Sequence, residues 1–410
     1  MRGRVFRNSA LVGFIILAAL YFFSYFHRVA LAVISLDLIR EFHINATSLG
    51  LMSSAYFYSY AGAQLPVGIF SDVLGTKKTI LIFVLLACLG TMIFGFAQNI
   101  IVATVGRTLI GLGVGGIYIP TAKYISSQYH PRQFASLNGI LLATGNTGAI
   151  FASAPLAFIV EGIGWRFCFL IVGFITLGLL IFSVLFLRKT PSLRNRINFR
   201  ELFKKLISSR NIWLLVISNA CAYGALMAFQ GLWAIPYLVN IYKVTRTTAS
   251  NTVMSIALGM IIGAPVIGIV SDKIFKSRKK VLVGGFAIFL CTWFLMAFFP
   301  ASLSYQSLYW IFFMMGFSIS SIVLIGAIIN ENYPRQTFAT TVSFINIFVF
   351  LSVMLFQILT GYVLDMTGKI RGAYSIAGYQ GVFSVCFVGA AIALISTFFI
   401  KSNDRRLMKK

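Results

Sequence analysis

The chain has 410 residues, 59% of them hydrophobic and 10% charged, with 34 Lys and Arg against 9 Asp and Glu and a formal net charge of +25. Soluble domains carry about a quarter of their residues charged, so this balance, with a mean hydropathy of +0.90, excludes a soluble domain and indicates a polytopic helical membrane protein. The basic surplus does not indicate nucleic acid, because it sits in short loops between apolar stretches rather than on one soluble face.

In chain order, apolar runs near 20 residues predict twelve spans, at 11–36, 47–70, 79–97, 100–124, 136–160, 167–187, 212–239, 250–270, 281–299, 307–329, 340–363 and 379–400. The first lacks a small-residue cleavage site and is too long for a signal peptide, so it is expected to remain as mature helix. One long interruption holds eight basic residues (Arg188, Lys189, Arg194, Arg196, Arg200, Lys204, Lys205, Arg210) against Glu201. It divides the chain into an N-terminal six-helix bundle (1–187), a basic cytoplasmic linker (188–210) and a C-terminal six-helix bundle (211–410).

Orientation follows from the basic residues. The N-terminus, the loops after even-numbered spans and the C-terminus hold 25 Lys and Arg. The opposite loops hold 6 (Arg40, Arg166, Lys243, Arg246, Lys369, Arg371), and Arg28, Arg107 and Lys123 lie within spans. The imbalance predicts both termini and the linker in the cytoplasm, with attraction to anionic lipid as a second role of the charge.

Two segments recur. Gly68-Ile-Phe-Ser-Asp72-Val-Leu-Gly75-Thr-Lys77-Lys78 returns as Gly268-Ile-Val-Ser-Asp272-Lys-Ile-Phe-Lys-Ser-Arg278-Lys279-Lys280, an offset of 200. Tyr129-His-Pro131-Arg132-Gln133-Phe134-Ala135 returns as Tyr333-Pro334-Arg335-Gln336-Thr-Phe338-Ala339, with prolines 203 apart. Equal orientation of the halves makes them parallel repeats about an axis along the membrane normal, an arrangement typical of solute carriers.

These motifs carry a family resemblance. The first loop fits G-x-x-x-D-x-x-G-x-[KR]-[KR]. The fourth span fits R-x-x-x-G-x-G-x-G-x-x-x-P at Arg107, Gly111, Gly113, Gly115 and, one position late, Pro120. The chain thus resembles the major facilitator superfamily over essentially its whole length. The resemblance implies an all-α membrane protein of twelve transmembrane helices, whose two bundles rock around a central cavity. It also implies that the loop motif clamps an inner gate, assigned here to Gly68, Asp72, Gly75, Lys77, Lys78, Gly268, Asp272, Arg278 and Lys279. On physical grounds Gly68 would let helices approach closely, Asp72 would accept from a helix N-terminus, and the lysines would hold the membrane boundary. A plain positively charged turn is the alternative.

Ionisable groups inside spans point to function. Arg28 and Arg107 lie in the outer half of the N-terminal bundle, and none of the nine acids lies near mid-membrane. An arginine at that depth costs several kcal/mol unless it faces water or a partner. A substrate anion on the guanidinium fork would meet that cost; bonds to helix carbonyls or snorkelling are the alternative. The run Tyr21-Phe-Phe-Ser-Tyr25-Phe-His27-Arg28 resembles the first helix of the organic anion/cation symporter branch. That branch has Asp-Arg where this chain has His27-Arg28, and often a Glu where this chain has Val114. His27 is therefore the candidate proton-coupling residue, although Arg28 beside it disfavours protonation and packing is the plainer role.

Further candidate substrate-binding residues are Tyr21 and Tyr25, at helical spacing with Arg28, Tyr56 and Tyr60 in the second span, and Asn146 in the fifth. Gln230 and Trp233 stand in the seventh, where Gly231 and Pro236 would permit a bend, and Asn346 stands in the eleventh. Gln64, Asn138 and Gln357 are polar wall candidates, and Tyr237 and Trp310 are assigned to an interfacial aromatic belt. Five cysteines in apolar spans, without ligand spacing, read as small buried residues.

No nucleotide loop, metal motif or nucleophile–base pair is visible, so no enzyme activity, cofactor or metal is expected. The expected function is secondary active transport of a small organic anion or zwitterion (carboxylate, amino acid or phosphorylated metabolite) by alternating access, with uptake favoured over export. A proton is the candidate co-substrate, membrane lipid the surroundings, and no nucleic-acid partner is expected. The expected state is a monomer, multi-pass in a bacterial inner membrane. The alternatives are efflux of drug-like or siderophore-like compounds and a non-transporting membrane sensor.

Overall fold

The computed structural model describes residues 2–188, 204, 206–333, 338–370 and 373–401. Most of the basic linker, Pro334–Gln336 of the second repeat, Arg371 and the final basic run lie outside them.

Uninterrupted apolar sequence makes helices, and polar caps start them. Asn99 accepts from Val102 N, Ser209 from Ile212 N, Thr245 from Thr248 N and Ser304 from Ser307 N. Such caps satisfy donors that lipid cannot. The described chain divides into two units, Met1–His43 with Met52–Asn195, and Ile44–Leu51 with Arg196–Lys410.

The first unit holds α1 (Arg2–Glu41), most of α2 (Ala46–Val73), α3 (Thr76–Gly95), α4 (Ile100–Gly115), α5 (Tyr118–Gln128), α6 (Pro131–Phe151), α7 (Ala154–Ile163) and α8 (Trp165–Phe186). Span four breaks between α4 and α5 after paired glycines. Gly111 and Gly113 make the bundle tight: a Cβ on Gly111 would lie 2.2 Å from Tyr56 O, and one on Gly113 would lie 2.2 Å from Ala87 N. Only glycine permits such backbone approach.

The second unit holds α9 (Arg210–Ala228), a π-helical turn (Phe229–Trp233), α10 (Ala234–Tyr242), α11 (Arg246–Ile269), a second π turn (Val270–Ile274), α12 (Arg278–Phe298), α13 (Tyr305–Ile319), a 3₁₀ turn (Ser320–Ile322), α14 (Val323–Asn332), α15 (Phe338–Met366) and α16 (Ile376–Phe399). Between the last two, β1 (Lys369–Ile370) pairs antiparallel with β2 (Ala373–Tyr374). The first π turn stands just before Pro236. Proline supplies no N–H and crowds the carbonyl four residues back. The helix widens there, so that Ala234 N bonds Phe229 O five residues back. Tyr237 follows, fully buried and packed edge-on against Phe383 with ring centres 4.9 Å apart. It belongs to the aromatic core, not to the interfacial belt expected of it. Trp310 is 71% exposed.

Asp365, near the end of α15, collects the start of α2. Oδ1 accepts from Ala46 N at 3.0 Å and from the Tyr374 hydroxyl at 2.7 Å, while Oδ2 accepts from Thr47 N at 2.7 Å and Thr47 Oγ1 at 2.6 Å. A carboxylate is favoured at a helix N-terminus. Burial, and then the carboxylate itself, push the Tyr374 phenol well above its ordinary range, so it stays a donor. Glycine permits this packing too: a Cβ on Gly361 would lie 2.6 Å from Ala46 O.

Ten helical stretches among the described residues are long and apolar enough to cross a membrane. The pair Ser136–Phe151 and Ala154–Ile163, bent by 42°, makes an eleventh. α2, with 28 residues, is not among them. Its serines, its tyrosines and Gln64 dilute its apolar character, so length and composition support eleven of the twelve predicted spans. Three cysteines (Cys88, Cys168, Cys386) are buried and Cys221 is half-buried, whereas Cys291 is exposed, against the expectation of burial.

Candidate functional site

Arg28 stands seven residues after Tyr21 and three after Tyr25 on one face of α1. The tyrosines do meet it. Its guanidinium carbon lies 4.3 Å from the Tyr25 ring centre and 5.0 Å from that of Tyr60, and Nη2 donates to the Tyr60 hydroxyl at 3.1 Å. Tyr21 packs edge-on against Tyr25 at 5.2 Å and, tilted, against Tyr118 of α5 at 5.6 Å. Tyr60 stacks on Tyr56 at 6.1 Å. Arg28 is 5% exposed. Ring faces attract a cation by about 0.5–2 kcal/mol each. They hold the direction of the guanidinium.

Arg107 of α4 is fully buried beside the same tyrosine stack, its guanidinium carbon 4.8 Å from the Tyr56 ring centre. Nη1 donates to the carbonyl of His27 at 3.0 Å. The Tyr56 hydroxyl donates to the carbonyl of Ser24 at 3.0 Å. α2 and α4 thus each grip one carbonyl of the α1 turn that carries Arg28.

His27 itself faces elsewhere. Its Nε2 lies 3.4 Å from Thr91 Oγ1 on α3, and its ring packs against Phe26 and against Phe169 of α8. The carbonyl of His27 accepts from Arg107, and its imidazole lies among aromatic rings. Asn146 turns back on its own helix, donating to Leu142 O at 3.1 Å. Gln64 spans Tyr60 O and Gly115 O at 3.4 Å, and Tyr118 donates to Asn138 at 3.4 Å.

In the second unit, Gln230 and Trp233 lie on the π turn, both buried. Trp233 Nε1 donates to Thr360 Oγ1 at 2.9 Å, and Gln230 Oε1 has no hydrogen-bond partner among the described residues. Gln357 is fully buried, and neither amide atom is hydrogen-bonded among the described residues. Asn346 is half-buried on α15.

The repeated loop motifs bond differently from expectation. Asp72 pairs with Lys123 of α5 at 2.6 Å rather than with a helix N-terminus, and Lys123 also donates to Ser71 O at 2.8 Å. A Cβ on Gly68 or Gly268 would meet nothing within 4 Å. The expected role of Gly68 in close helix approach is therefore corrected: neither glycine is needed for packing in this structure. Gly75 does require glycine, at φ 79°. Lys77 donates to Val184 O at 2.6 Å and Lys78 is exposed. In the second copy Arg278 pairs with Asp272 at 3.3 Å and with Glu331, while Lys279 donates to Phe398 O at 2.7 Å. In each copy a lysine closes on the end of its unit's last helix.

Residues that sequence reasoning missed include Tyr118, Thr91 and Asp365. Tyr118 had a signal, since it opens a helix after the Gly115–Gly116 break.

A bundle of apolar helices with buried arginines in a tyrosine cluster defines a multi-pass membrane protein of the solute-carrier type. Residues 17–244 and 215–409 each match the model of the Major Facilitator Superfamily, and the chain belongs to that family of transporters. It is similar to the probable sulfoacetate transporter SauU of Cupriavidus necator, 26% identical over 299 residues, 67% of each chain. It is also similar to the hexuronate transporter of Bacillus subtilis, 24% identical over 388 residues, 88% of this chain and 89% of that one. In fold it is similar to a bacterial homologue of the human lysosomal transporter Spinster, at TM-score 0.77 and 17% identity over 98% of each chain.

Proposed function

We propose that this chain carries a small organic anion, with an anionic group of the substrate bound by Arg28. The observation that carries the reading is the tyrosine mounting of Arg28. Two ring faces and a hydroxyl aim a nearly buried guanidinium. A fixed buried cation of this kind suits a carboxylate, a sulfonate, a phosphorylated metabolite or the carboxyl end of a zwitterion such as an amino acid. Two relatives are named for substrates of this chemistry: sulfoacetate has a sulfonate and a carboxylate, and a hexuronate has one carboxylate.

The rest of the reading follows from the repeats and the charge pattern. Twelve transmembrane helices form two six-helix bundles with cytoplasmic termini, in a bacterial inner membrane. The protein acts as a monomer and takes up substrate by alternating access. Asp72 with Lys123, and Asp272 with Arg278 and Glu331, act as gate-side ion pairs. Gln230, Trp233 and Asn346 provide the polar and aromatic contacts of the second half.

The test is Arg28→Ala in proteoliposomes. Uptake of anionic metabolites should fall at least tenfold, while the purified variant keeps its helical signal and monodispersity. Undiminished uptake across a panel of anions would remove Arg28 from the substrate site.

A further inference from the structure

A guanidinium has two bidentate faces to offer, the end formed by its two terminal nitrogens and the side formed by Nε with Nη2. In Arg107 the other terminal nitrogen, Nη1, is fixed on the His27 carbonyl at 3.0 Å. Nε and Nη2, the whole of the side-on edge, are buried and have no hydrogen-bond partner among the described residues. No carboxylate among the described residues forms an ion pair with Arg107. A buried donor edge bearing full charge and satisfied by nothing is expensive. Its anchoring nevertheless fixes its direction, with Nη1 tied to α1 and the face of the group near the Tyr56 ring.

Tyr56 stacks on Tyr60, and Tyr60 carries Arg28. The two arginines therefore flank one tyrosine pair of α2, beside the α1 turn that carries Arg28. Arg28 presents its charge through tyrosine contacts, and Arg107 presents a prepared fork. Bonding to main-chain oxygen accounts for one nitrogen of Arg107 and leaves two charge-assisted donors arranged for an oxyanion.

We infer that Arg107 is a second anion-binding residue, and that the substrate is a compact dianion with one anionic group on Arg28 and the other on the Nε–Nη2 edge of Arg107. This deepens the reading of Arg28 given above and rests on it. A carboxylate, sulfonate or phosphate group would fill the second position equally well, since each offers two oxygens to the fork.

The test uses the purified full-length protein and matched probes: malonate, succinate and sulfoacetate, each beside a singly charged counterpart in which one acid is a methyl ester. Wild type should bind each dianion roughly ten- to hundredfold more tightly than its half-ester, the range set by one charge-assisted bidentate contact. Arg107→Gln should abolish that preference, so that each diacid binds within about threefold of its own half-ester. Arg28→Ala should lose both members of each pair. Because Arg107 also ties α1, Arg107→Lys is measured in parallel. An ammonium keeps the charge and loses the fork, so it should retain a reduced preference for the diacid.

Equal wild-type affinity for diacid and half-ester overturns the inference and leaves the Arg28 reading standing. So does loss of both probes together in a folded Arg107→Gln or Arg107→Lys protein, which would make Arg107 a brace for α1. Failure of wild type to bind any probe, singly or doubly charged, sinks the anion reading and this inference together.

Discussion

Arg28 and His27 are adjacent in sequence and serve different surroundings, because successive residues on a helix point about 100° apart. Arg28 turns to the tyrosines of α1 and α2. His27 turns to Thr91 and Phe169 on α3 and α8. The imidazole packs against the rings of Phe26 and Phe169, with Nε2 3.4 Å from Thr91 Oγ1. His27→Phe is therefore expected to keep the pH profile of uptake and to lower its rate by less than about threefold, since aromatic swaps of similar volume cost little. A profile flattened between pH 5 and 8 in that variant would make His27 the proton carrier after all. At this scale the sequence exposed the cluster through spacing: Tyr21, Tyr25 and Arg28 on one face, Tyr56 and Tyr60 on another. It did not expose the grip of Arg107 on the His27 carbonyl. Main-chain oxygens have no letter in a sequence, and Arg107 alone could equally have snorkelled.

Helices are where glycine has to be read by contact rather than by motif. Gly111 and Gly68 both belong to signature patterns, but only Gly111 is pressed against backbone. A methyl group on Gly111 would strike Tyr56 O and Ser59 Oγ at 2.2 Å, and neither helix can yield without disturbing Tyr56 and Arg107. Gly111→Ala should therefore cost about 1–3 kcal/mol, seen as a fall of roughly 2–10 °C in the thermal midpoint of the purified protein. Gly68→Ala and Gly268→Ala should leave that midpoint within about 1 °C, since each side chain enters open space. If Gly68→Ala proves as destabilising as Gly111→Ala, this account of the packing is wrong. If it transports poorly at full stability, its glycine serves motion instead. The helices themselves were legible from apolar runs. Their interruptions were half legible: Pro236 foretold a local change in α10, yet a π turn and a kink have the same sequence cause. The hold of Asp365 on α2 was invisible, because its partners are backbone N–H groups more than 300 residues away in sequence.

For the whole molecule, duplication goes deeper than the repeated words. Gly111 presses on the carbonyl of Tyr56, and Gly316 presses on the carbonyl of Ile256, 1.9 Å from where its Cβ would be. The carbonyls are 200 positions apart and the glycines 205, close to the offsets of the loop motifs. Each unit thus builds its second and fourth spans with the same contact, inside a repeat whose letters have otherwise drifted. Parallel repeats with equal topology place equivalent loops on one side, and the charge count decides which side. With 25 Lys and Arg on one set of segments and 6 on the other, the helix starts carrying Lys78 and Lys279 should be cytoplasmic, and Asn99 and Gly368 should face outward. Single cysteines at those four positions, in a background with the five native cysteines replaced, distinguish the arrangements. A membrane-impermeant maleimide on intact cells should label Asn99→Cys and Gly368→Cys and spare Lys78→Cys and Lys279→Cys until the membrane is opened. Labelling of Asn99→Cys together with Lys279→Cys would break the parallel relation of the halves. Complete reversal would keep the repeat and overturn the charge rule for this chain. The positions span both halves, so the orientation of each half is read separately, which the basic residues of a single loop could not provide.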